Sequence, residues 1–334
     1  MKNDVNNVMY INEYKKNIFS EKFDFSEVAL YSFDYQYNNN IVYQNYCNIL
    51  KKNPANVKNI TEIPFLPVSF FKNNKIVSTQ QNEQIIFTSS STSGQIPSKH
   101  YVTDLDIYEQ SFLNTFKNFY GEVCNYAIIG LLPSYLERQG SSLVYMVSKL
   151  IELSENKNSG FFLNDYSKLF NLVKKLEKKE QKYIIFGVSY ALVDFSQICS
   201  VQLKNAIIIE TGGMKGQRKE IPKEDLHNLL KQNFNVKQIH SEYGMTELLS
   251  QAYSTEYQLF NCPKYMKVFV ADIYDPLSIQ NKGSGKINII DLANINSCCF
   301  ISTDDLGEVY SDGSFKIIGR AENAEIRGCN LMMS

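Results

Sequence analysis

From about residue 84 the chain alternates between short apolar runs and longer segments whose apolar positions recur with helical spacing. The runs predict strands at 84–88, 125–132, 182–187, 206–210 and 236–240, and the longer segments predict helices at 104–120, 141–154, 165–179, 188–200 and 222–233. A run such as Ala206-Ile-Ile-Ile-Glu210 is apolar on both faces, as a strand buried between two layers of helices is. Strands of that kind alternating with helices predict an α/β fold with a largely parallel sheet flanked by helices. Upstream, residues 8–52 read as helical, with Phe25, Val28, Leu30, Tyr31 and Phe33 in a mixed pattern, and 60–72 reads as a connector punctuated by Pro64 and Pro67. After about residue 264 the pattern changes. Short β runs at 268–274, 285–290, 298–302, 307–310 and 314–318 are separated by turn residues such as Asp312-Gly313. They predict a small antiparallel, barrel-like C-terminal subdomain, with the chain dividing into 1–263 and 264–334.

Charge and cysteine usage narrow the function classes. Basic residues number 34 and acidic residues 35, so bulk charge does not favour nucleic acid. The lysines of 174–182 are interleaved with glutamates and read as the solvated face of a helix. The first residues are polar and no apolar run reaches the length of a membrane span, which predicts a cytoplasmic protein with reduced thiols. Seven cysteines without a Cys-x-x-Cys pair, beside three histidines, argue against zinc. Cys298 and Cys299 are adjacent in a β run, where they are expected to be packing residues that cannot both point inward.

Three segments carry candidate chemistry. The 84–88 strand empties into Thr88, Ser89, Ser90, Ser91, Thr92, Ser93 and Gly94, followed by Pro97 and Lys99. Small hydroxylic residues let backbone N–H groups approach an anion, and phosphate is the natural guest, although a Ser/Thr-rich loop taken alone is more often a solvated turn. Thr211-Gly212-Gly213 follows the 206–210 strand, and Tyr243-Gly244-Met245-Thr246-Glu247 follows the 236–240 strand. All three are expected at C-terminal ends of strands, where open α/β sheets bind ligands. His100 and His240 flank the two nucleotide candidates, but a histidine beside a strand is usually structural and neither is given a role. Ser189 is not a nucleophile elbow, because Tyr190-Ala191 stand where that motif needs its second glycine.

At this point the chain resembles the adenylate-forming ligase superfamily. Its Ser/Thr/Gly-rich loop, Tyr-Gly-x-Thr-Glu, Thr-Gly-Asp-Leu-Gly and Gly-Arg-x-Asp motifs appear here in order as Thr88–Gly94, Tyr243–Glu247, Thr303-Asp-Asp-Leu-Gly307 and Gly319-Arg-Ala-Glu322. Within it the chain is similar to the acyl-protein synthetases of the bacterial fatty-acid reductase system (the LuxE type). The Phe65–Lys72 connector, the Thr-Gly-Gly and a Gly-Cys near the C-terminus, Gly328-Cys329, carry that likeness.

The resemblance implies an ATP-dependent enzyme that activates a fatty or other carboxylic acid as acyl-AMP. The Ser89–Gly94 loop would cradle the phosphates, with Lys99, Gly212, Gly213 and Gly244 completing the nucleotide site. Thr246 would bond the α-phosphate, Glu247 would hold Mg²⁺, and Tyr243 would stack on adenine. Asp305 would accept from both ribose hydroxyls, and Arg320 would sit near the nucleotide. Cys329 would take the acyl group as a thioester, its thiol activated by Arg327, for delivery to a protein partner such as a reductase. Tyr135 and Arg138, within 132–142, are expected to line the acyl pocket.

Departures from the wider pattern are informative. Ser91 replaces a glycine, Ser98 splits the Pro–Lys pair, Asp304 stands where the ribose motif has glycine, and Glu322 replaces the hinge aspartate. The chain ends at Ser334, just past the hinge, where full-length members continue into a lobe with a catalytic lysine. Two other readings stay open: a coenzyme-A ligase resembling phenylacetate ligases, and a non-catalytic nucleotide-fold scaffold.

Overall fold

The computed structural model describes residues 11–90, 96–133, 140–163, 165–212, 221–272 and 274–320. Ser91–Gly94, Tyr135, Arg138, Gly213, Glu322, Arg327 and Cys329 lie outside the described residues.

The predicted α/β arrangement is observed. The central sheet runs in the order Gly160–Phe161, Ala127–Leu131, Tyr183–Gly187, Ala206–Glu210, His240–Tyr243, Ala252–Ser254. Every neighbouring pair is parallel except the last. Ala127–Leu131 and Tyr183–Gly187 are buried along their whole length because helices cover both faces. Those helices start where the sequence supplies caps. The Asp104 carboxylate accepts from the N–H of Ile107, Ser141 from Val144 and Asp165 from Lys168. Tyr166–Lys178 buries Leu169, Val173 and Leu176 and leaves its lysines on the outer face, as the charge pattern predicts.

Two strands differ from expectation. The 84–88 run forms Ile85–Thr88, but it pairs antiparallel with Lys99–Val102 in a separate two-stranded hairpin and does not join the parallel sheet. Doubly apolar character reports burial on two faces; it does not report which strand lies alongside. The strand expected at 236–240 lies at His240–Tyr243. The preceding helix ends at Asn235 in the left-handed region, and 236–239 are used to cross to the sheet, where pairing starts at Ile209 with His240. The first part of the Tyr-Gly-x-Thr-Glu motif is therefore strand, and its remainder is the loop that leaves the sheet.

The C-terminal β runs form a second sheet, Phe300–Val309 against Gly283–Asp291 against Met266–Ala271, with Phe315–Arg320 on the other side of Phe300–Val309; these pairs are antiparallel. The separate runs predicted at 298–302 and 307–310 are one strand, interrupted at Leu306/Gly307 by a register shift against Phe315–Arg320. The sheet also takes Leu66–Pro67, parallel to Phe300–Val309, from the proline-punctuated connector. The N-terminal helices, 11–18, Phe25–Asn39 and Ile41–Ile49, grip the turn that precedes Phe300. Gln36 donates to the carbonyls of Asn294 and Ile295 and accepts from the N–H of Cys299, and Tyr14 donates to the carbonyl of Leu292.

That packing corrects the expectation for the vicinal cysteines. Both Cys298 and Cys299 are fully buried. They lie in the bend before the strand, where alternation does not apply, and helices close over the bend. Burial pushes both thiols well above the usual range, so they are packing groups.

Candidate functional site

The hairpin places the hydroxyl-rich loop. Its base is closed by the Ser89 N–H donating to the Ser98 carbonyl (3.1 Å) and the Ser98 N–H donating to the Ser89 hydroxyl (2.9 Å). Lys99 is exposed opposite Thr88, and Ser90 is exposed beyond it. The hairpin is tied to the Tyr-Gly-x-Thr-Glu loop through His100. Its ring nitrogen Nδ1 lies 2.8 Å from the carbonyl of Thr246. A carbonyl only accepts, so Nδ1 carries the proton. Burial brings this histidine down to about 4, against the pull of the Thr246 carbonyl, and the ring is neutral at ordinary pH.

Glu247 follows in the same loop and is buried. Burial raises its carboxyl above the usual range, opposed by a hydrogen bond from Ser98 and by the positive charge of Arg320, while Asp304 adds to the rise. A buried carboxylate of this kind is a hard oxygen donor, the ligand type that suits a divalent cation such as Mg²⁺.

The remaining motifs meet at Asp305. Tyr243 donates its hydroxyl to Asp305 Oδ2 at 2.8 Å. Burial and then the nearby Asp305 charge hold this phenol well above its ordinary value, so it stays a donor. Its ring packs against Phe260 and Phe315, with centroids 5.7 and 5.4 Å away. Arg320 is the cross-strand partner of Asp305, and its Nε lies 3.3 Å from Oδ1. Thr303 shapes the approach: its hydroxyl donates to the carbonyl of Ile287 and accepts from the N–H of Asp305. The described parts of all four motifs are thus joined, Ser98 and His100 to the Thr246–Glu247 loop, and Tyr243 through Asp305 to Arg320.

Gly212 lies at the rim of the same sheet with φ +81, a conformation that glycine adopts without strain. Beneath it is a network that the sequence reading did not single out. Glu210 Oε1 accepts from the Ser189 hydroxyl (2.5 Å) and the Gly212 N–H (2.7 Å), and Lys223 Nζ lies 3.5 Å from Oε2. Ser241 bridges Glu210 Oε2 and His227 Nε2. Burial would raise Glu210, but Lys223 and then Ser189 reverse this and hold it below its ordinary value; burial takes His227 down to about 4. Glu210 is thus ionised beside a neutral imidazole. The available signal was a carboxylate ending an otherwise aliphatic strand, directly before Thr-Gly-Gly. Ser189, which lacks the second glycine of a nucleophile elbow, donates to that carboxylate from the first turn of its helix.

A central parallel sheet, a hydroxyl-rich hairpin and a second sheet that brings Asp305 to the tyrosine of the first is the fold of adenylate-forming ligases. Solved structures agree. A 2-hydroxyisobutyryl-CoA ligase in complex with 2-HIB-AMP and CoA superposes with a TM-score of 0.66 at 11% identity, over 88% of this chain and 73% of that one. ATP-bound MatB from Rhodopseudomonas palustris gives 0.54 at 16% identity, over 72% of this chain and 49% of that one. The chain belongs to the LuxE acyl-protein synthetase family, whose model matches residues 10–334. Among its relatives are proteins named long-chain-fatty-acid--luciferin-component ligase. The Aliivibrio fischeri protein is 25% identical, over 91% of this chain and 86% of its own length. The Vibrio harveyi protein is 22% identical, over 91% and 85%. Among the described residues no helix is long and apolar enough to cross a membrane.

Proposed function

We propose that this protein uses ATP to activate a long-chain fatty acid as acyl-AMP and then carries the acyl group on Cys329 as a thioester for a protein partner, such as a reductase, to receive. In the first step a carboxylate oxygen attacks the α-phosphorus and pyrophosphate leaves. In the second the Cys329 thiolate attacks the acyl carbonyl carbon and AMP leaves. Family membership and the names of the two relatives support the chemistry and the acid class. One structural observation carries the reading: Tyr243, the Thr246–Glu247 loop, Asp305, Arg320 and the base of the Ser89–Ser98 loop, far apart in sequence, are linked by direct contacts.

Both reacting partners are anions, so positioning and charge neutralisation dominate the barrier. The Ser89–Gly94 loop, with Lys99, Gly212, Gly213 and Gly244, would receive the nucleotide, Thr246 would bond the α-phosphate, and Tyr243 would meet the adenine. Asp305, already oriented by Tyr243 and Arg320, has acceptor capacity left for ribose hydroxyls. Glu247 would hold Mg²⁺, which when bound neutralises phosphate oxygens.

The test is incubation with ATP, Mg²⁺ and labelled acids of graded chain length. The expected result is carboxylate-dependent exchange of pyrophosphate into ATP, and hydroxylamine-labile label on the intact chain that maps to Cys329. Cys329→Ser should keep the exchange within about three-fold and lose the labile label entirely. Efficient transfer to free coenzyme A by the serine variant would instead establish the coenzyme-A ligase reading. No exchange with any acid would leave only the scaffold.

A further inference from the structure

Three side chains from elsewhere in the chain hold the main chain of 246–250, the end of the Tyr-Gly-x-Thr-Glu segment and the residues that follow it. His100 Nδ1 donates to the Thr246 carbonyl at 2.8 Å. Asn294 Nδ2 donates to the next carbonyl, that of Glu247, at 2.7 Å. Asp291 accepts from the N–H groups of Leu249 (2.8 Å) and Ser250 (2.9 Å) and from the Ser250 hydroxyl (2.5 Å). His100, Asn294 and Asp291 are all buried, at 1% exposure or less. They come from two elements: His100 from the strand that closes the hydroxyl-rich hairpin, and Asp291 and Asn294 from the turn that leaves the Gly283–Asp291 strand. The His100 ring is seated edge-on against Phe71, with centroids 5.8 Å apart. A loop needs no such arrangement merely to be ordered. Pinning two successive carbonyls from two different elements fixes the peptide planes of Thr246 and Glu247, and with them the directions in which those side chains leave the backbone.

We infer that His100 and Asn294 are positioning residues of this enzyme: they lock the backbone of Thr246 and Glu247 to the strand that closes the hairpin and to the turn of the C-terminal sheet. The inference deepens the adenylating function proposed above and rests on it for its kinetic consequence. Both are buried, and each acts through the residue whose carbonyl it holds. The strand that closes the hairpin, the motif loop and the second sheet are thereby tied to one another by direct hydrogen bonds.

The test compares His100→Phe, which keeps the ring against Phe71 and deletes the donor, with His100→Asn, whose side-chain amide can replace Nδ1, and with Asn294→Ala. Two readouts are taken on the full chain: kcat and KM in acid-dependent pyrophosphate exchange, and amide hydrogen exchange across 246–250. His100→Phe is expected to lower kcat by about 10- to 100-fold with KM for the acid changed less than about two-fold, and to speed amide exchange at 246–250 while the Ala127–Leu131 and Tyr183–Gly187 strands stay protected. His100→Asn should recover most of both. Asn294→Ala should mirror His100→Phe. Wild-type kcat together with wild-type exchange at 246–250 in His100→Phe and Asn294→Ala overturns the inference, as does a uniform loss of protection with unchanged kcat per folded molecule. A wild-type chain inactive toward every acid counts against the adenylating reading alone, because amide exchange at 246–250 still reports the clamp.

Discussion

At the scale of single residues, Asp305 and Glu247 are carboxylates with different surroundings. Asp305 is held between a phenol and a guanidinium, one on each oxygen. Glu247 is buried with little compensation, and its carboxyl is raised for that reason first. Its ionisation is therefore costlier in the folded chain than in the unfolded one, so under the proposed function its charge would serve a bound cation rather than the fold. Glu247→Gln keeps the shape and removes the charge. It should leave the thermal midpoint unchanged or higher while slowing pyrophosphate exchange by about 100-fold or more. Differential scanning fluorimetry beside the exchange assay checks both halves. A variant that is both inactive and markedly less stable would show that the carboxylate is structural. Tyr243 illustrates what sequence leaves out. Its place in the motif was legible, but its bond to Asp305 needed two strands separated by 62 positions to be brought together.

At the scale of elements, the Thr303–Gly307 motif is a bulged strand whose parts have separable duties. Thr303 fixes the backbone, Asp305 faces the tyrosine, and Gly307 lets two neighbouring strands come close. A Cβ at Gly307 would run into the carbonyl of Lys316 on one side and the Ile287 side chain on the other. Backbone cannot yield as a side chain tip does, so Gly307→Ala should destabilise the chain by about 1–3 kcal/mol. Because Arg320 and Asp305 face each other across the same bulge, it should also raise KM for ATP. Urea denaturation and the exchange assay read the two effects; a variant with wild-type values in both refutes this account of the glycine. Element type was largely legible because periodicity and caps are local: Asp104, Ser141 and Asp165 start helices where the sequence places them. Pairing was not. Ile85–Thr88 reads like any strand of the central sheet, yet its partner is the Lys99–Val102 strand that follows the loop. Leu66–Pro67 gave no strand signal at all, since two residues of a proline-rich connector become a strand only when another edge is offered to them.

At the scale of the whole molecule, the three histidines titrate together. His100, His227 and His240 lie in different elements, and burial lowers each to about 4. In the unfolded chain their pKa is near 6.5, so below that value the unfolded chain takes up protons that the folded chain refuses. Their stabilising contribution is complete above about pH 6.5 and is lost as the pH falls towards 4, at up to about 1.4 kcal/mol per pH unit for each. The raised carboxyls of Glu247 and Asp291 act in the opposite sense, taking up protons in the folded chain first, and offset part of the loss at the acid end. The urea midpoint should therefore drop between pH 7.5 and pH 5.5, and replacing His240 by Phe should flatten the dependence. A midpoint that holds or rises over this interval contradicts the assignment of neutral buried imidazoles.

Local pattern was sufficient for the α/β class, the order of the motifs and the kinds of side chain available to an adenylating site, because hydrophobic period, capping and motif spacing act over a few residues. Tertiary structure alone decided that the hydroxyl-rich loop hangs from its own hairpin and that Tyr243 orients Asp305. It alone placed His100 and Asn294 on successive carbonyls of one loop and buried Glu210 beneath Gly212. The hairpin of consecutive strands and the Glu210–Gly212 bond aside, each of these is a contact between segments remote in the chain. Such contacts depend on which edges and faces meet when the core closes, and no local pattern encodes that.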